Sequence, residues 1–192
     1  MDERFVQIEK LGKVKYKTDF DIPFGKGNKF SNSRISNVSG KWMLSFGMEC
    51  ENQAQKLNDY NVGIDLGVKD SAIVAYDGKK LVFHNINKSK KIRSIKRKMK
   101  HLQKDISRKY EANRQGKKYI KTRNIEKQET KLRKLYAKIS NIRSDYIHKS
   151  THTIISLLPN RIVMEDLNIS GMMKNRHLSK AIQEQCLYEW IR

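Results

Sequence analysis

The chain has 192 residues, enough for one domain and part of a second, and carries 41 Lys and Arg against 20 Asp and Glu, a formal charge of +21. A hydrophobic fraction of 38% is enough to pack a core, so a wholly disordered chain is excluded, and no apolar run reaches the roughly 18 residues of a membrane-spanning helix. The start, Met1-Asp2-Glu3-Arg4, is no secretory signal, and a charge this positive self-repels unless an anion lies against it, which puts nucleic acid first and an anionic membrane second among partners.

Residues 1–59 read as β structure. Apolar and polar side chains alternate around Phe5-Val6-Gln7-Ile8 and Val14-Lys15-Tyr16, and residues 30–38 and 41–49 flank Ser39-Gly40 as a hairpin. Trp42, Phe46 and Tyr16 are expected in the interior of this region, since alternating apolar residues usually face inward; base stacking is the other reading. The polar stretch 53–59 is expected to be a linker. Residues 61–68 form a short apolar run broken by Asp65 and predict a buried strand. Residues 71–76 and 81–84 are two more strands, joined by Asp77-Gly78, a strong hairpin signal.

From Lys88 the period changes. Ile92, Ile95, Met99, Leu102 and Ile106 are spaced by threes and fours, as are Leu132, Leu135, Ile139, Ile142 and Tyr146. Each set is the seam of an amphipathic helix, and Gly116 marks the turn of an antiparallel hairpin over about 88–157. Pro159-Asn160 ends the second helix. Residues 161–165 are a strand ending on Glu165-Asp166, a loop follows over 168–176, and Leu178, Ile182, Cys186 and Trp190 predict one last helix. That helix has no capping signal before Arg192, so the chain is expected to stop inside an element. Cys50 and Cys186 lie far apart with no Cys-x-x-Cys, which argues against a disulfide framework or a zinc site and for a reducing compartment.

The chemistry concentrates on Asp65 and Glu165, 100 residues apart. Two carboxylates brought together from strands suit a hard divalent cation, magnesium or manganese, which takes oxygen ligands. Each acid has a plainer reading, Asp65 as a turn residue or cap and Glu165 as a solvated strand end. Gly63 and Gly67 flank Asp65 and would leave room for a phosphate. His148 and His152 share a helix face but lack a third ligand nearby, so packing or hydrogen bonding is preferred to metal binding.

Gly63-Ile64-Asp65-Leu66-Gly67-Val68-Lys69 resembles the first RuvC motif of the TnpB or OrfB transposase family, transposon-encoded RNA-guided nucleases related to type V CRISPR effectors. Ile162-Val163-Met164-Glu165-Asp166-Leu167-Asn168-Ile169-Ser170-Gly171-Met172 resembles the second, and Ile142-Arg143 with His148-Lys149-Ser150-Thr151 resembles the helix between them. The likeness runs from about Val6 and implies an α+β fold: a partial wedge domain at 1–59, an oligonucleotide-binding-like β-barrel, then an incomplete ribonuclease-H-like (RuvC) domain at 60–192 carrying the basic hairpin. It implies Asp65 and Glu165 as catalytic, metal-binding carboxylates, a weakly held Mg2+ or Mn2+, guide RNA and target DNA as partners, no membrane, and a prokaryotic cytoplasmic location.

The family also has a four-cysteine zinc element and a third motif with an essential Asp. Neither occurs here, so the site is expected to be incomplete unless a further segment supplies it in trans. Asp145, Glu184 and Glu189 read as solvated helix faces rather than substitutes, and Asp166 as a capping or supporting group. Lys90, Lys91, Arg93, Lys96, Arg97, Lys98 and Lys100 on the first helix, and Lys117, Lys118, Lys121 and Arg123 at the turn, are expected to contact a phosphate backbone. The resemblance implies an RNA-guided DNA endonuclease at the family level, truncated and catalytically incomplete in this chain. The alternatives are a nuclease-inactive nucleic-acid-binding remnant or a plain basic RNA-binding protein.

Overall fold

The computed structural model describes residues 4–19, 22, 29–49 and 54–192. They fall into two units, Met1–Asn37 with Trp42–Asn52 and Val38–Lys41 with Gln53–Arg192. In the first, β1 (Arg4–Ile8) pairs antiparallel with β2 (Gly12–Tyr16), Val6 opposite Val14. β3 (Phe30–Val38) pairs with β4 (Lys41–Met48), and the residues between them, Ser39 and Gly40, grouped with the second unit, have the φ values of 54° and 85° of a type I′ turn. Phe30 and Phe46 meet edge to face at 5.1 Å between centroids.

Among the described residues these hairpins form two separate two-stranded sheets and no closed barrel. The barrel-like expectation therefore holds only as β content. Trp42, expected inside, is 74% exposed. Alternation marks one face of a strand, but a two-stranded ribbon buries that face only where a second layer covers it. Phe46 and Tyr16 are half-buried. Cys50 and the first residue of the expected linker, Gln53, lie outside the described residues.

The second unit is built on a four-stranded sheet ordered β10-β5-β6-β7. β5 (Asn61–Leu66), β6 (Asp70–Tyr76) and β7 (Lys79–His84) are a continuous antiparallel meander. Asp77 and Gly78, both at positive φ, turn β6 into β7. β10 (Arg161–Met164) returns to lie parallel to β5 at the sheet edge. Val62, Leu66 and Val74 pack with Ile147, Ile154, Ile182 and Trp190 as one core.

A 3-10 turn, Ile86–Lys88, leads into α1 (Lys90–Ala112), which Ser89 caps by accepting from the Ile92 amide. α2 (Arg123–Ile155) is capped in the same way by Thr122. The two pack through Ile92, Ile95, Met99 and Ile139, with Leu132, Leu135 and Ile142 around them, so most of both expected seams meet there; Tyr146, expected on the second seam, packs on the sheet core instead. Their connection is more than a turn: β8 (Arg114–Gln115) and β9 (Lys118–Tyr119) form a miniature hairpin over Gly116 at φ 59°. α2 ends at Ile155, before Pro159.

The C-terminal expectations need two corrections. The loop after Glu165 contains α3 (Ile169–Met172), a single turn capped by Asn168, whose Oδ1 accepts from the Gly171 amide at 2.8 Å; Asn168, rather than Asp166, is the cap. The one expected last helix is two, α4 (Ser179–Gln185) and α5 (Leu187–Ile191), broken at Cys186 with φ 53° and ψ 46°. The periodicity of four survives the break because the left-handed residue redirects the axis while Leu187 and Trp190 still reach the core, Trp190 against Phe83.

Candidate functional site

The parallel β5–β10 pair sets Val62 opposite Ile162 and Ile64 opposite Met164. The next residue on one side is Asp65 and on the other Glu165. Ile64 and Met164 line one cavity with Trp190 and Ile154 on the core side of the sheet, whereas both acids are exposed. Adjacent strands run about 4.8 Å apart, so the two carboxyl groups start from neighbouring positions at the same end of the sheet.

Two residues before Asp65, Gly63 has open space where a Cβ would stand. Gly67 differs, because a Cβ there would come within 3.1 Å of the Asp70 carbonyl oxygen, so its lack of a side chain serves the tight turn itself. A cleft of about 380 Å³ is lined by Asp65, Gly67, Lys69, Asp70, Ile73 and Lys80, among others. On its rim the Asp70 carboxylate lies 2.9 Å from His84 Nδ1. That hydrogen bond, aided by the nearby positive groups and opposed by burial, holds the Asp70 carboxyl below the usual carboxylate range.

The turn after Asp65 is held from several sides. The Val68 carbonyl accepts from Asn85 Nδ2 at 2.8 Å and from Gln185 Nε2 at 3.0 Å. Ser71 Oγ donates to Gln185 Oε1 at 3.0 Å, and Lys88 Nζ reaches the Lys69 carbonyl at 2.9 Å. Sequence patterning gives no sign of these partners, because Gln185 is a polar residue in a short helix more than 110 positions from Ser71.

Of the expected phosphate-contacting residues, Lys90, Lys91, Arg93, Arg97, Lys98 and Lys100 on α1 are exposed, as are Lys117, Lys118 and Arg123 near its far end. Two others have acidic partners within the chain. Lys96 lies 2.6 Å from Glu184, and Lys121 lies 2.6 Å from Glu129. Glu129 also accepts from the Tyr110 hydroxyl at 2.7 Å. The Lys121 ammonium, then Tyr110, lower the Glu129 carboxyl, while hydrogen bonding to Glu129 raises both Lys121 and Tyr110.

Glu184 was expected on a solvated face and is not there. Its side chain is 22% exposed and faces Arg143 as well, at 4.0 Å. Arg143 donates to Asn87 Oδ1 at 2.7 Å, and Asn87 Nδ2 donates to the Glu184 carbonyl at 2.8 Å. Isolated charge in a helix looks solvated until another element packs over it, which α1 and α2 do here. A cleft of about 1020 Å³, larger than that at Asp65, borders this node and is lined by Lys96, Lys100, Arg133, Arg143 and Lys180 among others. Asp145 and Glu189 are exposed as expected, Asp145 paired with Lys149. His148 and His152 are exposed on α2. Among the described residues no group of three or more His, Cys, Asp or Glu is placed to hold a metal ion, and no helix is long and apolar enough to cross a membrane.

The chain is similar to curated proteins that are longer than it. It is 32% identical over 169 residues to an Escherichia coli (strain K12) protein named "Putative RNA-guided DNA endonuclease InsQ", covering 88% of this chain and 37% of that protein. It is 26% identical over 146 residues to a Streptomyces pristinaespiralis protein named "Putative RNA-guided DNA endonuclease", covering 76% of this chain and 32% of that protein. The chain thus spans about a third of the length of these relatives. The profile of the OrfB_IS605 family, described as "Probable transposase", matches residues 45–176, which include both acids and the whole helical hairpin. This chain belongs to the OrfB_IS605 transposase family.

Proposed function

We propose that this chain carries two carboxylates of a RuvC-like nuclease centre, Asp65 and Glu165, and a phosphate-binding surface on α1, as part of an RNA-guided DNA endonuclease of TnpB type. The observation that carries the reading is the β5–β10 register, in which Ile64 faces Met164 and the two acids follow as neighbours. A meander joined by a parallel edge strand that returns after a long helical crossover is the arrangement a ribonuclease-H-like domain requires. The hairpins of the first unit are assigned to an oligonucleotide-binding-like wedge on their β content.

The donor set fits a hard divalent cation. Both acids are exposed, both offer oxygen, and the open space at Gly63 leaves the approach clear. Magnesium or manganese, when bound, supplies Lewis-acid stabilisation and activates water for phosphodiester hydrolysis. Asp65 and Glu165 would hold the ion, and the exposed cations of α1 would anchor the phosphate backbone of guide RNA and target DNA without reading sequence.

A second reading, nucleic-acid binding without cleavage, rests on the exposed cations of α1, which can hold a phosphate backbone whether or not a bond is cut. One experiment separates the two. The purified chain is mixed with a matched guide RNA, a target duplex and magnesium or manganese, beside an Asp65→Ala control. Guide-dependent cutting lost in the control supports the nuclease; salt-sensitive binding with no cutting supports the binder, and cutting restored by a longer family member's remaining segment in trans returns the reading to a divided nuclease.

A further inference from the structure

We propose that Gln185 is a positioning residue for Asp65, acting through the turn at residues 67–71. The inference rests on the reading of Asp65 as a metal ligand and names a residue that supports it. Gln185 is 3% exposed, and both ends of its amide are used on this turn. Its Oε1 accepts from Ser71 Oγ, itself 1% exposed, and its Nε2 donates to the Val68 carbonyl, both at 3.0 Å. A buried primary amide that bridges the two ends of a turn restrains both ends at once. It adds to the 3.4 Å bond from the Gly67 amide to the Ser71 carbonyl, which closes the same turn.

The amide itself is fixed from behind. The preceding residue, Glu184, is tied through its carboxylate to Lys96 at 2.6 Å and through its carbonyl to Asn87 at 2.8 Å. Two consecutive residues of α4 therefore reach different partners, Glu184 the helical hairpin and Gln185 the turn that starts two residues past Asp65. Asn85 shares the Val68 carbonyl at 2.8 Å, so that oxygen has both lone pairs engaged and the peptide plane is held. Asp65 sits at the end of β5 where the ladder to β6 gives way to this turn. Its backbone direction is set on one side by the sheet and on the other by the turn that Gln185 holds. Supporting partners of this kind orient ligands that cannot orient themselves.

The test uses the whole 192-residue chain and Mn2+ as the probe. Gln185→Met keeps length and packing and removes both hydrogen bonds. Its control is Ile182→Val on the same helix, 2% exposed, which loosens the core without touching the turn. Hydrogen exchange at the amides of residues 67–71 is expected to quicken in Gln185→Met and not in Ile182→Val. Mn2+ affinity, read by electron paramagnetic resonance, is expected to fall about tenfold in Gln185→Met, in line with the loss typical of supporting partners, and to hold in the control. Binding lost in Asp65→Asn yet intact in Gln185→Met overturns this inference alone. Binding that survives Asp65→Asn overturns the metal reading and this inference with it. If Gln185→Met fails to fold, Ser71→Ala removes the other end of the same bond and carries the same expectations.

Discussion

Ile64 on β5 stands opposite Met164 on β10 in a parallel pair, both facing the core, and the residue after each is an acid. This one register position decides more than any other in the chain. A slip of one residue would turn one of the acids toward Trp190 and Ile154 and leave the other on the open face, because side chains alternate along a strand.

Metal binding follows from that pair. Two carboxylates make a poor cage for an ion that sheds its water reluctantly, so Mn2+ should bind with a dissociation constant on the order of 1 mM and Mg2+ more weakly still. Asp65→Asn and Glu165→Gln should each abolish it, while Asp145→Asn, on an exposed face of α2, should leave it unchanged. Titration followed by paramagnetic resonance checks this; equal loss in all three variants would point to general electrostatics instead.

Nucleic-acid binding should separate the exposed cations from the paired ones. Each phosphate contact removed lowers the slope of log K against log salt by about 0.7–0.9. Lys98→Glu with Lys100→Glu should therefore weaken binding and flatten the slope for any sequence. Lys96→Met should affect the slope less, because that ammonium already faces Glu184. Its main effect should be on thermal stability, since it leaves the partly exposed Glu184 carboxylate with only the more distant Arg143, at 4.0 Å.

The hairpin tip should show a pH signature. Glu129 is held low by Lys121 and then Tyr110, so its contribution is fully present above the ordinary carboxylate range and is lost as pH falls below that range, through its lowered value. Lys121 is raised, so its contribution is present at neutral pH and lost only as pH climbs past the ordinary lysine range. Chemical shifts of Glu129 and the Tyr110 ring should hence be flat around neutral pH and move together in acid. Glu129→Gln should remove the acid transition.

Trp190 offers a stability test. It is 6% exposed against Phe83, yet its Nε1 has no hydrogen-bond partner among the described residues. Trp190→Ala should cost about 3–5 kcal/mol by emptying that volume. Trp190→Phe gives up no hydrogen bond and leaves a smaller void, so it should cost clearly less than the alanine variant. Urea unfolding of the three proteins compares them; a Phe variant as damaged as the Ala variant would mean that the indole nitrogen has a partner.

Much of the second unit was legible in the sequence, for physical reasons. Asp65 interrupts an apolar run, and the seams through Ile92, Ile95, Met99 and Ile139 repeat at helical spacing, so local pattern and burial coincide. What escaped depends on contacts between distant segments. Glu184 looks solvated until Lys96 and Arg143 close on it, Gln185 until Ser71 and Val68 do, and the spacing of Leu178, Ile182, Cys186 and Trp190 is the same whether or not the backbone reverses at Cys186. In the first unit, alternation placed the strands but could not say whether Trp42 had a second layer to face.

The miniature hairpin at Gly116 and the helices it joins bear on how the molecule assembles. Asp65 and Glu165 are separated by 100 residues, and closing so long a loop in an unstructured chain is entropically slow and delays parallel pairing. Helices form in about a microsecond from local contacts. Once α1 and α2 fold back on each other around Gly116, the ends of the excursion are already close, and β10 need only dock on β5. The two acids should thus come together last, after the hairpin, and a substitution that slows the reversal at Gly116 should delay the appearance of the site while leaving the meander's own folding rate untouched.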